Sequence, residues 1–258
     1  MSEAQRNECP LDRLVIPRLL HGDCLELMGD IESGSVDLIL CDLPYGITAC
    51  KWDSVIPFEP LWAHYKRIIK QEGAIVLFGS QPFTSALIMS NPKMFKYEWI
   101  WEKAVGSNFA TVKYQPLKEH ENVLVFSKNK HNYYPIKEPR KGSGVKRLEH
   151  GYKSNGKVSE VTGVVPNRKG KIYDELKNPS SVQYFNNRES TRGLHPTQKP
   201  VLLCEYLIQT YTNEGDTVLD NCMGSGSTIV AARNLNRRAI GIEKDAGYFK
   251  IASERIGV

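Results

Sequence analysis

Residues 217–243 read TVLDNCMGSGSTIVAARNLNRRAIGIE, a pattern that predicts a strand, a glycine loop, a helix and a second strand. Gly224 and Gly226 let the backbone of the loop approach a ligand closely. Glu243 stands at the end of the second strand, about 20 residues after the loop, where an acid can hydrogen-bond both hydroxyls of a ribose. No Gly-Lys-Ser/Thr follows the glycines, so the loop is not a phosphate loop. Two glycines alone could be a tight turn, but the whole pattern predicts a nucleoside-binding unit.

The rest of the chain continues the alternation of strands and helices on both sides of a polar middle. Apolar runs predict further strands at 19–23, 35–41, 74–78 (apolar throughout, as in a strand covered on both sides), 97–101 and 121–126. Helical spacing predicts helices at 65–70, 83–89, 201–211, 228–235 and 248–256. This order predicts an α/β fold with a mostly parallel twisted sheet and helices on both faces.

The middle of the chain, residues 127–193, differs in charge. It holds 15 lysines and arginines against 6 acidic residues, while the whole chain has a net charge of only +5. Isolated aromatic residues stand between the cations, a composition suited to phosphates and bases. The alternative is a solvated loop region. We interpret residues 127–193 as an inserted, basic target-recognition region.

A second motif, Asp42-Leu43-Pro44-Tyr45, directly follows the strand predicted at 35–41. Ligands of open α/β sheets bind beyond the carboxyl ends of the strands. Asp42 offers an acceptor for an amino group, and Leu43, extended because it precedes proline, can turn its carbonyl toward the same nitrogen. Tyr45 offers a flat face to a base. Alone, the tetrapeptide could also be an ordinary turn.

Four motifs together resemble a known family. DLPY at 42–45 resembles the Asp-Pro-Pro-Tyr signature of DNA amino-methyltransferases, and LHPTQKP at 194–200 is similar to their His-Pro-Thr-Gln-Lys-Pro motif. VLDNCMGSGST at 218–228 resembles their cofactor loop, and HGDCLE at 21–26 their Gly-Asp segment. The catalytic tetrapeptide precedes the cofactor loop, an order typical of the β group.

The resemblance implies a Rossmann-like methyltransferase fold with a circularly permuted motif order. Residues 19–126 would form the catalytic half and residues 194–258 the cofactor-binding half, separated by the recognition region at 127–193. The implied cofactor is S-adenosylmethionine and the implied partner is double-stranded DNA. Relatives of the β group are often dimers, so a homodimer is a further expectation.

The resemblance also assigns site residues. Asp42, Leu43, Pro44 and Tyr45 would form the catalytic motif. The implied cofactor-binding residues are Asp23 (adenine amino group), Thr197 and Lys199 (methionine carboxylate), Asp220, Cys222, Gly224, Gly226, Ser227 and Thr228 (the cofactor loop), and Glu243 (ribose). For Lys199 the alternative is a surface lysine beside a helix start.

Two positions depart from the family pattern. Leu43 replaces a proline, but the contact expected there is a backbone carbonyl, so activity should survive. Asn221 and Cys222 replace the usual Pro-Phe of the cofactor loop, which removes an aromatic ring beside the cofactor and could weaken its binding.

The expected reaction is methyl transfer to the N6 amino group of an adenine rotated out of the duplex. Asp rather than Ser at the head of the tetrapeptide favours adenine over cytosine N4. Enzymes acting on RNA or a protein amide usually carry an Asn-Pro-Pro-Tyr pattern after the cofactor loop, the reverse of the order here. A non-catalytic DNA-binding protein would be supported by loss of Asp42 or Tyr45, and both are present.

Composition narrows the remaining possibilities. Six scattered cysteines without a Cys-x-x-Cys pair indicate reduced structural thiols, and no metal is implied. The sequence shows neither an apolar run of about 20 residues nor an apolar signal core near Met1, so we expect a cytoplasmic protein.

Overall fold

The computed structural model describes residues 16–46, 53–141, 145, 175–188 and 198–258. Thr197, Cys9, Cys50 and most of the recognition region predicted at 127–193 lie outside the described residues. The chain divides into two compact units, Met1–Tyr134 with Ser181–Val258, and Pro135–Ser180.

The first unit is built on an eight-stranded sheet in the order β1-β10-β9-β2-β3-β5-β4-β8. Its strands are β1 (Arg18–His21), β2 (Val36–Cys41), β3 (Ile69–Gly79), β4 (Phe95–Ser107), β5 (Lys118–Phe126), β8 (Val182–Phe185), β9 (Thr217–Asp220) and β10 (Arg238–Glu243). The five strands β1, β10, β9, β2 and β3 are mutually parallel. β5 runs antiparallel to both β3 and β4, and β8 is parallel to β4.

Within the described residues, six α-helices cover this sheet. They are α1 (Cys24–Leu27), α2 (Phe58–Ile68), α3 (Phe83–Ser90), α4 (Val201–Tyr211), α5 (Ser227–Asn234) and α6 (Ala246–Ile256). Leu38 and Leu40 of β2 pack in one apolar core with α4, α5 and α6, while Val36, Ile39 and Cys41 pack in a second core with α1, α2 and α3. Alternate residues of β2 thus face opposite layers, as the pleat of a strand requires. The predicted α/β sheet with helices on both faces is confirmed.

The strands at 74–78, 97–101 and 121–126 are longer than predicted, at Ile69–Gly79, Phe95–Ser107 and Lys118–Phe126, and two further differences have a specific cause. The helix predicted to reach Lys70 ends at Ile68, because β3 begins at Ile69, which is extended and pairs with Val36. Val182–Phe185, inside the region predicted to lack regular periodicity, forms the edge strand β8. Pairing with β4 holds this short, half-exposed strand, and the indole of Trp101 donates a 3.0 Å hydrogen bond to the Phe185 carbonyl.

The second unit is described only in part. β6 (Glu138–Pro139) pairs antiparallel with β7 (Leu176–Lys177), and the Lys177 ammonium lies 3.1 Å from the Glu138 carboxylate. Among the helices of the described residues, none has the length and apolar character needed to cross a membrane.

Candidate active site

Four acidic residues lie at one edge of the sheet. Asp220 and Glu243 end β9 and β10, Asp42 directly follows β2, and Asp23 comes two residues after β1. Because these four strands are adjacent and parallel, their carboxyl ends meet at the same edge. The fold therefore brings together side chains that are up to 220 residues apart in sequence.

The Asp42 carboxylate is held by the tyrosine of its own motif. The Tyr45 hydroxyl donates a 2.7 Å hydrogen bond to Asp42 Oδ1. The Tyr45 ring stacks on Phe83 of α3, with the ring centroids 5.0 Å apart and the planes at 27°. Burial and the nearby carboxylates of Asp42 and Glu121 raise the pKa of Tyr45 well above its usual value, so the phenol stays a protonated donor.

The backbone of the motif is fixed on both sides. The Leu43 side chain is buried in the core, and Pro44 is half-buried. The Gly46 N–H donates a 2.8 Å hydrogen bond to the buried Asp53 carboxylate. Anchoring the Leu43 side chain in the core leaves its main chain as the part of this residue available to a ligand.

A row of buried charges extends from Asp42. The Lys199 ammonium lies 2.5 Å from Asp42 Oδ2 and 3.4 Å from Glu121 Oε2, and Lys103 pairs with the other oxygen of Glu121. Burial opposes the charge on Lys199, but the two carboxylates outweigh it and raise the lysine's pKa. Burial likewise opposes ionisation of Glu121, and the two lysines outweigh it and lower its pKa. Lys199 and Glu121 are therefore both ionised, with Lys199 between two carboxylates and Glu121 between two lysines.

Glu121 and Lys103 were missed by sequence reasoning. Glu121 lies in an apolar run that was interpreted only as a strand, and no motif marks it. The available signal is an acid two residues before the buried run Val123-Leu124-Val125, since strand residues beside such a run are rarely charged without a partner.

The cofactor loop has the backbone that its glycines predict. Gly224 (φ 51°) and Gly226 (φ 80°) both adopt positive φ, which glycine tolerates best. Gly226 also packs closely on α6, because a Cβ there would lie 3.1 Å from Ile256. The Gly224 N–H donates a 2.8 Å hydrogen bond to Glu243 Oε2. Glu243, the residue predicted to bind the ribose, therefore also holds the loop in place.

Asp220 is buried at the start of this loop. Burial raises its pKa to about 7, even though the Thr228 hydroxyl and the Cys222 N–H, 3.1 Å from Asp220 Oδ1, stabilise the ionised form. Cys222 lies beside the core of the α1–α3 face, which contains Cys24 and Cys41. Asp220 is therefore poised between its neutral and ionised forms at neutral pH.

The far end of the loop is tied to α6 and to the His-Pro-Thr-Gln-Lys-Pro motif. The Arg255 guanidinium donates to the Ser225 carbonyl at 3.0 Å and to the Ser227 hydroxyl at 3.3 Å. The Ser225 hydroxyl donates a 3.1 Å hydrogen bond to the side-chain oxygen of Gln198, one residue before Lys199. The loop and the residues around Lys199 therefore form one hydrogen-bonded assembly.

Asn221, which departs from the family pattern, has its own partner. The Tyr65 hydroxyl of α2 donates a 2.6 Å hydrogen bond to the Asn221 side-chain oxygen, and both residues are buried. A polar residue in place of the usual proline is thus satisfied from the neighbouring helix, as a buried polar group requires.

The two remaining acids are already hydrogen-bonded but keep free lone pairs. Besides Gly224, Glu243 accepts from the Asp245 N–H at 2.7 Å. Asp23 accepts from the Leu25 N–H at 2.9 Å, capping α1, and pairs with Lys244 at 3.0 Å. A carboxylate can accept about four hydrogen bonds, so each acid can still accept from a hydroxyl or an amino group. These carboxylate acceptors fit the nucleoside of S-adenosylmethionine. Asp23 and Glu243 would hold the nucleoside, and the cationic methionine end would lie near Asp220.

Comparison with known proteins shows which proteins the chain resembles. The family model described as DNA methylase matches residues 36–254. The chain is 30% identical to the type II methyltransferase M1.MboII of Moraxella bovis, over 93% of this chain and 96% of that protein. It is 29% identical to the DNA adenine methyltransferase YhdJ of Escherichia coli, over 93% of this chain and 82% of that protein. Among solved structures, the M1.HpyAVI–SAM complex superposes with a TM-score of 0.60 at 26% identity, covering 92% of this chain and 98% of that one.

Proposed function

Because this chain belongs to the DNA methylase family, whose members modify adenine N6 or cytosine N4, we propose that it methylates the N6 amino group of adenine. It is an S-adenosylmethionine-dependent DNA methyltransferase. The observation that carries the adenine proposal is Asp42 at the head of the catalytic tetrapeptide, held by Tyr45 beside the cofactor loop. The similarity to YhdJ, a DNA adenine methyltransferase, also supports it.

In the proposed reaction the target base is rotated out of the duplex into the edge of the sheet. Asp42 and the Leu43 carbonyl accept the two hydrogens of its amino group, which draws the nitrogen lone pair out of conjugation with the ring. Tyr45, fixed by its hydrogen bond and by Phe83, offers its ring to the base. S-adenosylmethionine supplies an electrophilic methyl group on a sulfonium.

The chain contributes positioning and polarisation. Asp42 is the carboxylate nearest the amino nitrogen in this arrangement, so it is placed to receive the proton that the methylated nitrogen loses. The Lys199 cation pairs with Asp42 and holds its carboxylate in place, and Glu121 fixes Lys199 in turn. Asp23 and Glu243 hold the nucleoside, while Lys199 and Thr197 remain proposed contacts of the methionine carboxylate.

The test is incubation of the purified protein with unmethylated, mixed-sequence duplex DNA and S-adenosylmethionine, followed by nucleoside digestion and mass spectrometry. We expect N6-methyladenine from the wild type, none from Asp42→Ala, and wild-type amounts from Asp30→Ala, an exposed acid used as the control. N4-methylcytosine would refute the adenine proposal and keep the mechanism. Methylated RNA or glutamine, with unmodified DNA, would refute DNA as the substrate of this chain.

A further inference from the structure

The loop between β4 and β5, residues 108–117, lies beyond the edge of the sheet that carries the active site. β4 is parallel to β3, because both run antiparallel to β5, so β4 ends at the same edge as β2. Glu121 of β5 contacts Lys199 in the site, and Lys118 lies three residues closer to the loop. At about 3.3 Å per residue, the loop therefore begins roughly 10 Å beyond Glu121.

The β4–β5 loop has an internal framework. Asn108, in the left-handed region at φ 66°, accepts a 2.8 Å hydrogen bond from the Lys118 N–H and donates to the Pro116 carbonyl at 3.3 Å. The Gln115 amide donates to the Thr111 hydroxyl at 2.6 Å. These bonds close the loop on itself, so its conformation exists before any partner binds.

This framework presents apolar and aromatic side chains to solvent. Every residue from Phe109 to Leu117 is exposed. Tyr114 is 88% exposed, Phe109 62% and Val112 46%. Single exposed apolar residues are ordinary, but several on one ordered loop beside an active site indicate a contact surface.

The charge of the β4–β5 loop favours nucleic acid as its partner. Within the loop itself, residues 108–117, Lys113 is exposed and no acidic residue is present. Cations attract phosphates, and aromatic rings stack on bases, a combination that proteins use on nucleic acid. The surface adjoins the pocket proposed for the extruded base, so duplex DNA bound there passes the loop.

We propose that the β4–β5 loop is a DNA-contacting element separate from the recognition region at 127–193. Tyr114 and Phe109 stack on bases left unstacked beside the extruded nucleotide, and Lys113 contacts a phosphate. This inference rests on the proposed function, since stacking requires a base to leave the duplex.

The first test measures binding of a fluorescently labelled, mixed-sequence duplex by anisotropy. We expect Tyr114→Ala and Phe109→Ala each to weaken binding about 10-fold, and Tyr114→Phe to bind within about twofold of the wild type, because it keeps the stacking face. Tyr114→Leu should bind DNA as weakly as Tyr114→Ala, because leucine has no aromatic face to stack on a base. Met89→Ala is the matched control, because Met89 is 71% exposed near the end of α3, away from the active-site edge.

The second test is the salt dependence of the same binding. Lys113→Ala should reduce the slope of log affinity against log salt by about 1, as expected for one lost phosphate contact. An unchanged slope would remove Lys113 from the proposed contact.

Two results would overturn the inference. One is wild-type DNA affinity in both alanine variants, or no binding by the wild type itself. The other is a dimer in sedimentation that Tyr114→Ala converts to a monomer, which would make the loop a self-association surface. Nucleoside mass spectrometry on the same variants separates the two proposals. If the wild type and Tyr114→Ala form N6-methyladenine with equal kinetic constants, the proposed DNA contact of the loop is refuted and the adenine proposal stands. If the loop variants weaken DNA binding but the wild type forms no N6-methyladenine, the adenine proposal is refuted and the loop proposal stands.

Discussion

The Lys199 ammonium lies 2.5 Å from Asp42 across 157 residues of sequence. Lys199 lies in the motif at 194–200, after the basic middle of the chain, and Asp42 begins the tetrapeptide after β2. Asp42 raises the pKa of Lys199 against the effect of burial, which would otherwise favour loss of the lysine's proton. The ion pair therefore couples the cofactor-binding half of the site to the half proposed to hold the base.

We predict that Lys199→Met lowers kcat about 100-fold, because Asp42 and Glu121 lose the cation that fixes them. Steady-state kinetics with unmethylated DNA check this. Lys70→Met is the control, since it breaks the 2.7 Å pair with Asp37 at the opposite edge of the sheet. An unchanged kcat, even with a raised KM for S-adenosylmethionine, would contradict the role of Lys199 in fixing Asp42 and leave only its proposed contact with the methionine carboxylate.

We predict that Tyr65→Phe raises the Kd for S-adenosylmethionine about 10-fold and lowers the free energy of unfolding by about 1–3 kcal/mol. The variant leaves the buried Asn221 oxygen without the donor that holds the start of the cofactor loop. Isothermal titration calorimetry and urea denaturation measure the two effects. Tyr114→Phe, at an exposed site, should change neither. Wild-type affinity in Tyr65→Phe would show that the loop needs no support from α2.

We predict that Glu243→Gln raises the Kd for S-adenosylmethionine between about 10- and 100-fold while kcat falls much less. The NH₂ that replaces one oxygen faces either the Gly224 or the Asp245 N–H group, which is itself a donor, so one of the two hydrogen bonds is lost. Glu254→Gln, on the exposed face of α6, serves as the control. A large loss of kcat at saturating cofactor would instead connect Glu243 to the chemical step.

We predict that Asp220 makes the cofactor-free protein less stable as the pH rises. Its pKa is about 7 in the folded protein against 3.8 for an ordinary aspartate, so the folded state holds the extra proton between these values. The free energy of unfolding should therefore fall from pH 5 to pH 8, by about 2 kcal/mol from this group. Urea denaturation at both pH values should show a smaller fall for Asp220→Asn. An equal fall in both proteins would assign the pH dependence to other groups.

Local pattern predicted most of the first unit's fold. The strand Thr217–Asp220 and the helix Val201–Tyr211 have the predicted bounds, because continuous or periodic apolar residues set them. β8 escaped prediction because its four residues are short and half-exposed, and only pairing with β4 makes them a strand.

The sequence alone determined the motifs and their order, because turn chemistry, apolar period and residue type are local properties. The tertiary structure decided which side chains contact one another in the site. Glu121 became part of the site only when the antiparallel β5 placed its first residues at the edge where β2 ends. Asn221 found its donor on α2, 156 residues away. Such contacts depend on how layers pack around the sheet, and no local pattern along the chain encodes the distance between two side chains that meet there.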